Sequence, residues 1–250
     1  MVRFDIITIF PEIFNSYLEE SLLFRAQKNK LIKIGVYNLR KWANNRHQTV
    51  DDRPFGGGLG MVMKIEPVFK AVTALKKFQI PNHKSQINTK SQKNRNPKTK
   101  VILFTPRGKK FDQKIAARWS KLNQLIFICG RYEGVDERVA KHIADEEISL
   151  GDYVMMGGEV AAMVVIETVS RLIPEVVGKP SFLKERLTKK KEFIEYPQYT
   201  RPESFSPKKG VFWKTPKVLL SGNFKKINEW KKINGRKIGG KKRTDKQIEK

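Results

Sequence analysis

Two glycine clusters have the residue types of ligand-binding loops. The first is Arg53-Pro-Phe-Gly-Gly-Gly-Leu-Gly-Met-Val-Met63, which follows two aspartates, and the second is the pair Gly157-Gly158. Glycine is costly in ordered structure unless the backbone adopts a positive φ angle or must come close to another group. Each cluster is therefore a candidate binding loop, in which bare backbone meets a ligand.

Several common kinds of site are absent from the sequence. No Gly-x-Gly-x-x-Gly motif follows the first predicted strand, which argues against a dinucleotide fingerprint. Neither a phosphate-binding Gly-Lys-Ser/Thr loop nor a Gly-x-Ser-x-Gly nucleophile elbow is found. The three histidines, His47, His83 and His142, are too dispersed for metal-ligand spacing, so we expect no metal site.

The charge of the chain favours an anionic partner. Its 250 residues include 51 Lys and Arg against 25 Asp and Glu, which gives a net charge of +26. Such an excess attracts polyanions, of which nucleic acid is the first candidate and an anionic membrane surface the second. A lysine-rich surface that is merely solvated is the remaining alternative.

The sequence has the features of a cytoplasmic protein. Its one cysteine, Cys129, lies in an apolar run, so there is no disulfide framework and a reducing compartment fits. No apolar run reaches the roughly 18–20 residues that a transmembrane helix needs, and the N-terminus lacks the apolar segment of a signal peptide. We expect a soluble protein with no membrane-bound part.

The elements that must position the glycine clusters follow from the hydrophobic pattern. Short, continuous apolar runs predict buried strands at 4–10, 31–37, 101–105, 125–129 and 147–150. One helix is predicted to begin at Pro11, and helical patterns cover 65–76, 111–122, 135–144 and 159–173. This alternation predicts an α/β fold with a parallel sheet covered on both faces. Residues 77–100 are rich in Asn, Gln, Lys and Ser, which predicts a flexible insertion.

Three glycine-containing loops follow the predicted strands, at 105–108, 130–134 and 151–158. In parallel sheets, ligands bind outside the carboxyl ends of the strands. The second glycine pair therefore belongs to a predicted three-loop ligand site. Beyond it, residues 174–195 have the composition of a basic interdomain linker, which separates a domain at 1–173 from a second domain at 196–250.

Seven segments spread over nearly the whole chain carry a family resemblance. They are Thr49–Met63, Cys129–Val139, Glu147–Val154, Gly157–Glu159, Ser170–Pro174, Tyr196–Pro202 and Leu219–Asn223. Together they resemble the bacterial tRNA (guanine-N1)-methyltransferase family. The resemblance implies a homodimer with the SPOUT methyltransferase fold in residues 1–173, where a deep trefoil knot holds S-adenosyl-L-methionine. It also implies methyl transfer to N1 of the guanosine immediately 3′ of the tRNA anticodon, position 37.

The resemblance assigns the three loops to the cofactor pocket. The implied cofactor-binding residues are Phe104, Thr105, Pro106, Gly108, Gly130, Arg131, Tyr132, Glu133, Gly134, Leu150, Gly151, Asp152, Tyr153, Val154, Met155, Gly157 and Gly158. A chain that threads through another loop passes backbone close to backbone, which explains the glycines. Ordinary turns between strands and helices are the alternative. We expect a side chain at Gly158 to block the cofactor while leaving the fold largely intact.

Arg171, within the last predicted helix of the first domain, is the first catalytic residue that the resemblance implies. The family assigns this arginine to the target guanine. A guanidinium there would stabilise the negative charge that develops on O6 as N1 loses its proton. A structural salt bridge to Glu167 is the alternative interpretation.

The general base departs from the family pattern. Guanine N1 is a poor nucleophile while it is protonated, so a base must remove the proton. The family uses an aspartate in an Asp-Ser-Phe stretch of the linker, but here Pro180 precedes Ser181 and Phe182. Glu185 lies near the expected distance from Gly178, and we assign the base to it. An exposed linker glutamate without a role is the alternative.

The second domain should grip the tRNA anticodon stem-loop through Lys and Arg side chains. We expect it to be small and mostly helical. Trp213 and Trp230 either pack in its core or stack on bases, and the spacing of Phe224, Ile227 and Trp230 predicts a helix and favours packing for Trp230. Two other functions stay open: a non-catalytic basic RNA-binding protein, and a related SPOUT enzyme that acts on ribose or on ribosomal RNA.

Overall fold

The chain divides into two units, Met1–Pro180 and Ser181–Lys250, each of which is described by itself. The structure is a computed structural model that describes residues 1–77, 98–178 and 193–238. The greater part of the predicted insertion at 77–100 lies outside the described residues. The same holds for the greater part of the predicted linker at 174–195, including Glu185.

A five-stranded parallel sheet forms the centre of the first unit. The strands of this unit are β1 (Val2–Thr8), β2 (Ile32–Asn38), β3 (Asp51–Asp52), β4 (Val62–Met63), β5 (Thr99–Lys110), β6 (Gln124–Ile128) and β7 (Glu146–Ser149). The sheet has the order β2-β1-β6-β5-β7, and each neighbouring pair in it is parallel. Strands β3 and β4 pair antiparallel outside it. The predicted parallel α/β architecture is confirmed, and the knot stays a prediction.

Helices cover both faces of the sheet. Those of the first unit are α1 (Asn15–Leu18), α2 (Ser21–Lys28), α3 (Ile65–Lys77), α4 (Gln113–Trp119), α5 (Glu137–His142) and α6 (Glu159–Ser170), with 3-10 helices at Pro11–Phe14 and Leu39–Trp42. Alternate residues of β6 face opposite ways. Phe127 packs in a core cluster with residues of α4 and α6, whereas Ile126 and Ile128 pack in one with residues of α3 and α5. A strand covered on both sides needs the continuous apolar run that the sequence shows.

Strand β5 extends further than predicted, because the chain returns to its partner strand. The sequence predicts a strand at 101–105 followed by the loop at 105–108, whereas β5 continues beyond that loop to Lys110. Phe104 and Lys109 both lie in register with Ile148 of β7, so the residues between them leave the ladder. A Cβ atom on Gly108 would lie 2.4 Å from the backbone nitrogen of Ile148. Two backbones approach so closely here that only glycine fits.

Helix α6 ends earlier than predicted. It ends at Ser170, and Arg171 is its C-cap residue. Leu172 and Ile173 donate backbone hydrogen bonds to carbonyls three residues back, which tightens the last turn. Pro174 then disfavours a helical conformation of the residue before it. Arg171 is consequently exposed at the end of the helix and does not lie among the apolar side chains within it.

Aspartate caps set the starts of α4 and α5, each two residues later than predicted. The Asp112 carboxylate accepts a hydrogen bond from the backbone nitrogen of Ile115 at 2.8 Å. The Asp136 carboxylate accepts one from the backbone nitrogen of Arg138 at 2.9 Å. Such side chains satisfy donors that the first turn of a helix leaves unpaired.

Within its described residues, 193–238, the second unit combines short strands with two helices. Its elements are β8 (Phe193–Glu195), β9 (Ser204–Lys208), β10 (Val211–Lys214), α7 (Lys217–Leu220), α8 (Phe224–Asn234) and β11 (Arg236–Ile238). β9 pairs with β10 and β8 with β11, both antiparallel. Helix α8 confirms the predicted helix, but the described part of the unit is as much strand as helix, so the expectation of a mostly helical domain is wrong for it. Within the described ranges of the whole chain, no helix combines the length and apolar character of a membrane span.

Candidate functional site

The three predicted loops meet at one cavity. It lies at the carboxyl ends of β5, β6 and β7, beside the N-terminus of α6, and its volume is about 520 Å³. Sites for cofactors and other small molecules typically have volumes of roughly 300–1,000 Å³. The cavity therefore has both the place and the size expected of a ligand site on a parallel sheet.

Most of the predicted cofactor-binding residues line this cavity. They are Phe104, Thr105, Pro106, Gly130, Arg131, Tyr132, Glu133, Gly134, Leu150, Tyr153, Val154, Met155, Gly157 and Gly158. Gly108, Gly151 and Asp152 are not part of its wall. The first packs against β7, the second lies beside the ring of Tyr153, and the third forms an exposed ion pair with Lys110. These positions shape the loops and do not face the cavity.

Sequence reasoning missed part of the cavity wall. The missed residues are Leu103, Val135, Glu137, Ala140, Ile148, Ser149, Met156 and Ala161. Arg107, within the loop at 105–108 that was assigned to the pocket, also lies on the wall. Glu137 and Ala140 are three residues apart on α5, so one face of that helix carries both toward the cavity. Once α5 is located in the sequence, this spacing predicts that both residues lie on the same face of the helix.

A buried ion pair joins three elements beside the cavity. Arg131 Nε donates a hydrogen bond to Glu159 Oε2 at 2.9 Å, and the Thr8 hydroxyl donates to Glu159 Oε1 at 2.7 Å. Glu159 is only 1% exposed, so its charge is removed from water and depends on these partners. The Arg131 guanidinium also lies 4.8 Å from the ring centroid of Phe10. The end of β1, the loop after β6 and the start of α6 are thereby held together.

The ion pair explains why glycines precede α6. A Cβ atom on Gly157 would lie 2.3 Å from Arg131 Nε and 2.6 Å from Glu159 Oε2. One on Gly158 would lie 2.7 Å from the Cα atom of Cys129. The second contact is with the backbone at the end of β6, so a side chain at Gly158 would strain the core. The expectation that such a change leaves the fold largely intact is therefore wrong.

The first glycine cluster reaches the rim of the same cavity. The backbone nitrogen of Glu133 donates to the Met61 carbonyl, and that of Met63 donates to the Gly134 carbonyl, both at 3.0 Å. Gly60 has a φ angle of +86°, and a Cβ atom there would lie 2.6 Å from the Glu133 side chain. The cluster thus supports the 130–134 loop from outside, while the 151–158 loop forms part of the wall itself.

The pKa values of an exposed carboxyl on the cavity wall and of a buried thiol nearby shift in opposite directions. Arg107 and Glu137 form an exposed ion pair at 2.6 Å on the cavity wall. The hydrogen bond and the positive charge of Arg107 lower the pKa of the Glu137 carboxyl. Burial raises the pKa of the Cys129 thiol well above its ordinary value. Cys129 therefore stays a neutral thiol at neutral pH and is a packing residue, because the thiolate is the nucleophilic form.

Arg171 lies away from the cavity within one chain. The cavity adjoins the first turn of α6, and Arg171 caps the last turn. The 12 residues of α6 separate the two by roughly 18 Å at a rise of 1.5 Å per residue. Glu167, the alternative partner for Arg171, accepts a hydrogen bond from the Tyr17 hydroxyl at 2.5 Å. The structure does not bring Arg171 together with the predicted cofactor-binding residues, and Glu185 lies outside the described residues.

Several known proteins similar to this chain carry the same description. Residues 2–248 match the family described as tRNA (Guanine-1)-methyltransferase TrmD. The tRNA (guanine-N(1)-)-methyltransferase of Dictyoglomus turgidum is 48% identical over 98% of this chain and 89% of its own length. The protein of the same name from Clostridioides difficile is 43% identical over 98% of this chain and 96% of its own. That of Carboxydothermus hydrogenoformans is 45% identical over 92% and 81%.

Replacement of the buried carboxylate should destabilise the fold far more than replacement of the exposed one. Glu159→Gln should lower the free energy of unfolding by on the order of 3 kcal/mol, because it leaves the Arg131 charge without its counter-charge. Glu137→Gln, which breaks the exposed pair on the same cavity wall, is the matched control and should change stability little. Urea unfolding of both variants checks this. Equal unfolding midpoints would show that the buried pair does not hold the site together.

Proposed function

The chain belongs to the tRNA (guanine-1)-methyltransferase family, and we propose that it methylates the guanosine immediately 3′ of the tRNA anticodon, position 37, with S-adenosyl-L-methionine as the methyl donor. It is a tRNA (guanine-N1)-methyltransferase, because the family match and the similar enzymes extend along nearly the whole chain. The three-loop cavity is the observation that carries the choice of donor. We assign the enzyme to the cytoplasm, where its tRNA substrate is found.

The residues of the cavity suit S-adenosyl-L-methionine. Gly130 and Gly157 present backbone without a side chain, which suits the edge of an adenine and the ribose hydroxyls. Phe104 adds apolar surface. The exposed pair of Arg107 and Glu137 offers both signs of charge to the zwitterionic amino-acid end of the donor. When bound, the donor supplies a methyl group on a positively charged sulfur, which a nucleophile attacks.

The residues of the chain prepare the nucleophile. Guanine N1 carries a proton at neutral pH, and its removal places negative charge on O6. Arg171 stabilises that charge, since a guanidinium is always protonated and offers several donors in a fixed plane. Glu185 accepts the N1 proton. The role of Arg171 follows from the family resemblance, whereas Glu185 is assigned from its distance from Gly178, because Pro180 stands where the family has its aspartate.

We propose that the enzyme is a homodimer. Several large apolar side chains of the first unit are exposed, among them Met156 at 90%, Phe55 at 100%, and Val160 and Val164 on the outer face of α6. Val160 and Val164 are four residues apart and share one face of α6, and an exposed apolar face of this kind favours an interface. Arg171 lies at the far end of α6 from the cavity. If two copies of α6 pack antiparallel about a two-fold axis, the partner's Arg171 comes close to the cavity, so each site draws on both subunits.

A methyl-transfer assay with site mapping tests the reaction. The substrate is an unmodified tRNA transcript with guanosines on both sides of its anticodon, and the donor carries a labelled methyl group. We expect one methyl group per tRNA, on N1 of guanosine 37, and none on a matched transcript with adenosine at that position. Mass spectrometry of nuclease fragments locates the product. A methyl group on ribose would identify a different SPOUT activity, and tRNA binding without transfer would identify a non-catalytic protein.

The proposed base can be tested by amide substitution. Glu185→Gln should lower the single-turnover rate by about 10²–10⁴-fold with little change in affinity for tRNA or donor, because a base acts in the transition state. Glu192→Gln and Glu195→Gln are controls from the same part of the sequence. If Glu185→Gln stays within a few-fold of wild type and one of the controls loses its activity, that control residue is the base.

The proposed dimer can be tested by placing charge on the outer face of α6. Val160→Asp should yield a monomer with little methyl-transfer activity, because a desolvated carboxylate would be buried at the interface. Ile233→Asp, at a residue that is 72% exposed in the second unit, is the control and should stay dimeric. Sedimentation equilibrium gives the masses. A monomeric wild-type enzyme with full activity would reject the dimer.

Complementation between subunits tests whether each active site combines the cavity of one subunit with Arg171 of the other. Arg171→Ala removes the arginine, and Thr105→Trp fills the cavity, so each homodimer should be inactive. Random pairing after co-expression should restore about a quarter of wild-type activity, because one site of each mixed dimer keeps both parts. No recovery from a mixed dimer that has been purified would show that each subunit uses its own Arg171.

A further inference from the structure

The hairpin formed by β9 and β10 displays an aromatic pair to solvent. Phe205 lies opposite Trp213 in the register of the two strands. Their ring centroids are 5.7 Å apart with an interplanar angle of 47°. The side chains stay 51% and 64% exposed, although rings of this size are among the most effective at burying apolar area. Both rings therefore present contact surface that nothing within the hairpin covers.

Trp213 is more exposed to solvent than the other tryptophans. All four lie within the described ranges, where Trp119 is buried and Trp42 and Trp230 are half-buried. Trp230 of α8 packs against Tyr199, with ring centroids 6.2 Å apart. The two roles that the sequence left open for these side chains are thus divided: Trp230 packs in the second unit, and Trp213 is free to contact another molecule.

The surroundings of the aromatic pair are mostly basic, with one acidic residue, Glu203, directly before β9. Residues 204–228 contain six lysines and no aspartate or glutamate. Lys208 and Lys209 lie at the turn of the hairpin, Lys214 follows Trp213, and all three are exposed. Such charge attracts a polyanion and disfavours a second copy of the same basic surface. The combination of exposed rings and lysines is the one by which proteins hold single-stranded nucleic acid.

We propose that the Phe205–Trp213 face of the hairpin stacks on an unpaired base of the tRNA substrate, while the neighbouring lysines contact the adjacent phosphates. The proposal rests on the proposed function for the identity of the RNA. Stacking tolerates any base, because every base has a π face. The hairpin therefore orients the tRNA and holds it, and it leaves the choice of the target guanosine to the catalytic unit.

The variants must separate the effect of Trp213 on base stacking from its effect on the stability of the hairpin. Cross-strand aromatic pairs also stabilise hairpins, so truncation to alanine would mix the two effects. Trp213→Leu keeps an apolar cross-strand contact and removes the π surface, and Trp213→Phe keeps a ring. Phe212→Leu is the matched control, since Phe212 is 60% exposed directly before Trp213 on the same strand and is not part of the Phe205–Trp213 ring pair.

The experiment measures binding of the full chain to fluorescently labelled, unmodified tRNA by anisotropy at several salt concentrations. Trp213→Leu should weaken binding roughly 5- to 150-fold, the effect of losing one stacked base. The slope of log K against log salt should stay unchanged, because no phosphate contact is lost. The double variant Lys208→Gln with Lys209→Gln should instead reduce that slope by up to about 1.4, the single-strand value for two phosphate contacts. Trp213→Phe should recover most of the affinity.

A blunt RNA duplex without unpaired bases is the second probe. Trp213→Leu should bind it as wild type does, because there is no free base to stack. An equal loss on tRNA and duplex, a loss of the same size in Phe212→Leu, or wild-type affinity of Trp213→Leu for tRNA would each overturn the proposal. Weak binding by Trp213→Phe, despite its ring, would do the same. The readout is binding alone, so a wild-type protein that binds tRNA but transfers no methyl group would reject the proposed function and leave this inference standing.

Discussion

The geometry of the cavity depends on one buried ion pair. A carboxylate as enclosed as that of Glu159 costs several kcal/mol to desolvate unless charge and hydrogen bonds compensate for it. The compensation comes from distant parts of the sequence, because Thr8 ends β1 and Arg131 lies in the loop after β6. Neither β1 nor α6 can shift against β6 without breaking a bond to that carboxylate. The bare backbone at Gly157 follows, since the two charged groups occupy the space of a side chain.

Local pattern was sufficient to predict the sheet and the loops of the site. A short, continuous apolar run such as 125–129 is typical of a strand that is covered on both faces, and β6 is such a strand. The carboxyl ends of parallel strands meet at one edge, which is why loops at 105–108, 130–134 and 151–158 surround one cavity. These features depend on residues that are close in sequence or on a general rule of parallel sheets.

Features that depend on which segments meet in space could not be predicted in this way. The return of β5 to the same residue of β7 leaves no periodic signal, because it is set by the close approach of Gly108 to another backbone. Arg171 looked like part of a long helix, whereas tight turns end that helix one residue before it. The net charge of +26 indicated RNA but not which surface meets it. Only the placement of exposed rings beside lysines distinguishes the hairpin of the second unit.

The position of β1 in the sheet has a consequence for biosynthesis. β1 leaves the ribosome before β2 and β6, yet it lies inside the sheet between them. Residues 9–123 must be translated before β6 begins, which takes about 6–23 s at 5–20 residues per second. During that time one hydrogen-bonding edge of an apolar strand has no partner, and such an edge readily pairs with other chains. The nascent chain should therefore depend on chaperones that shield this edge until β6 emerges.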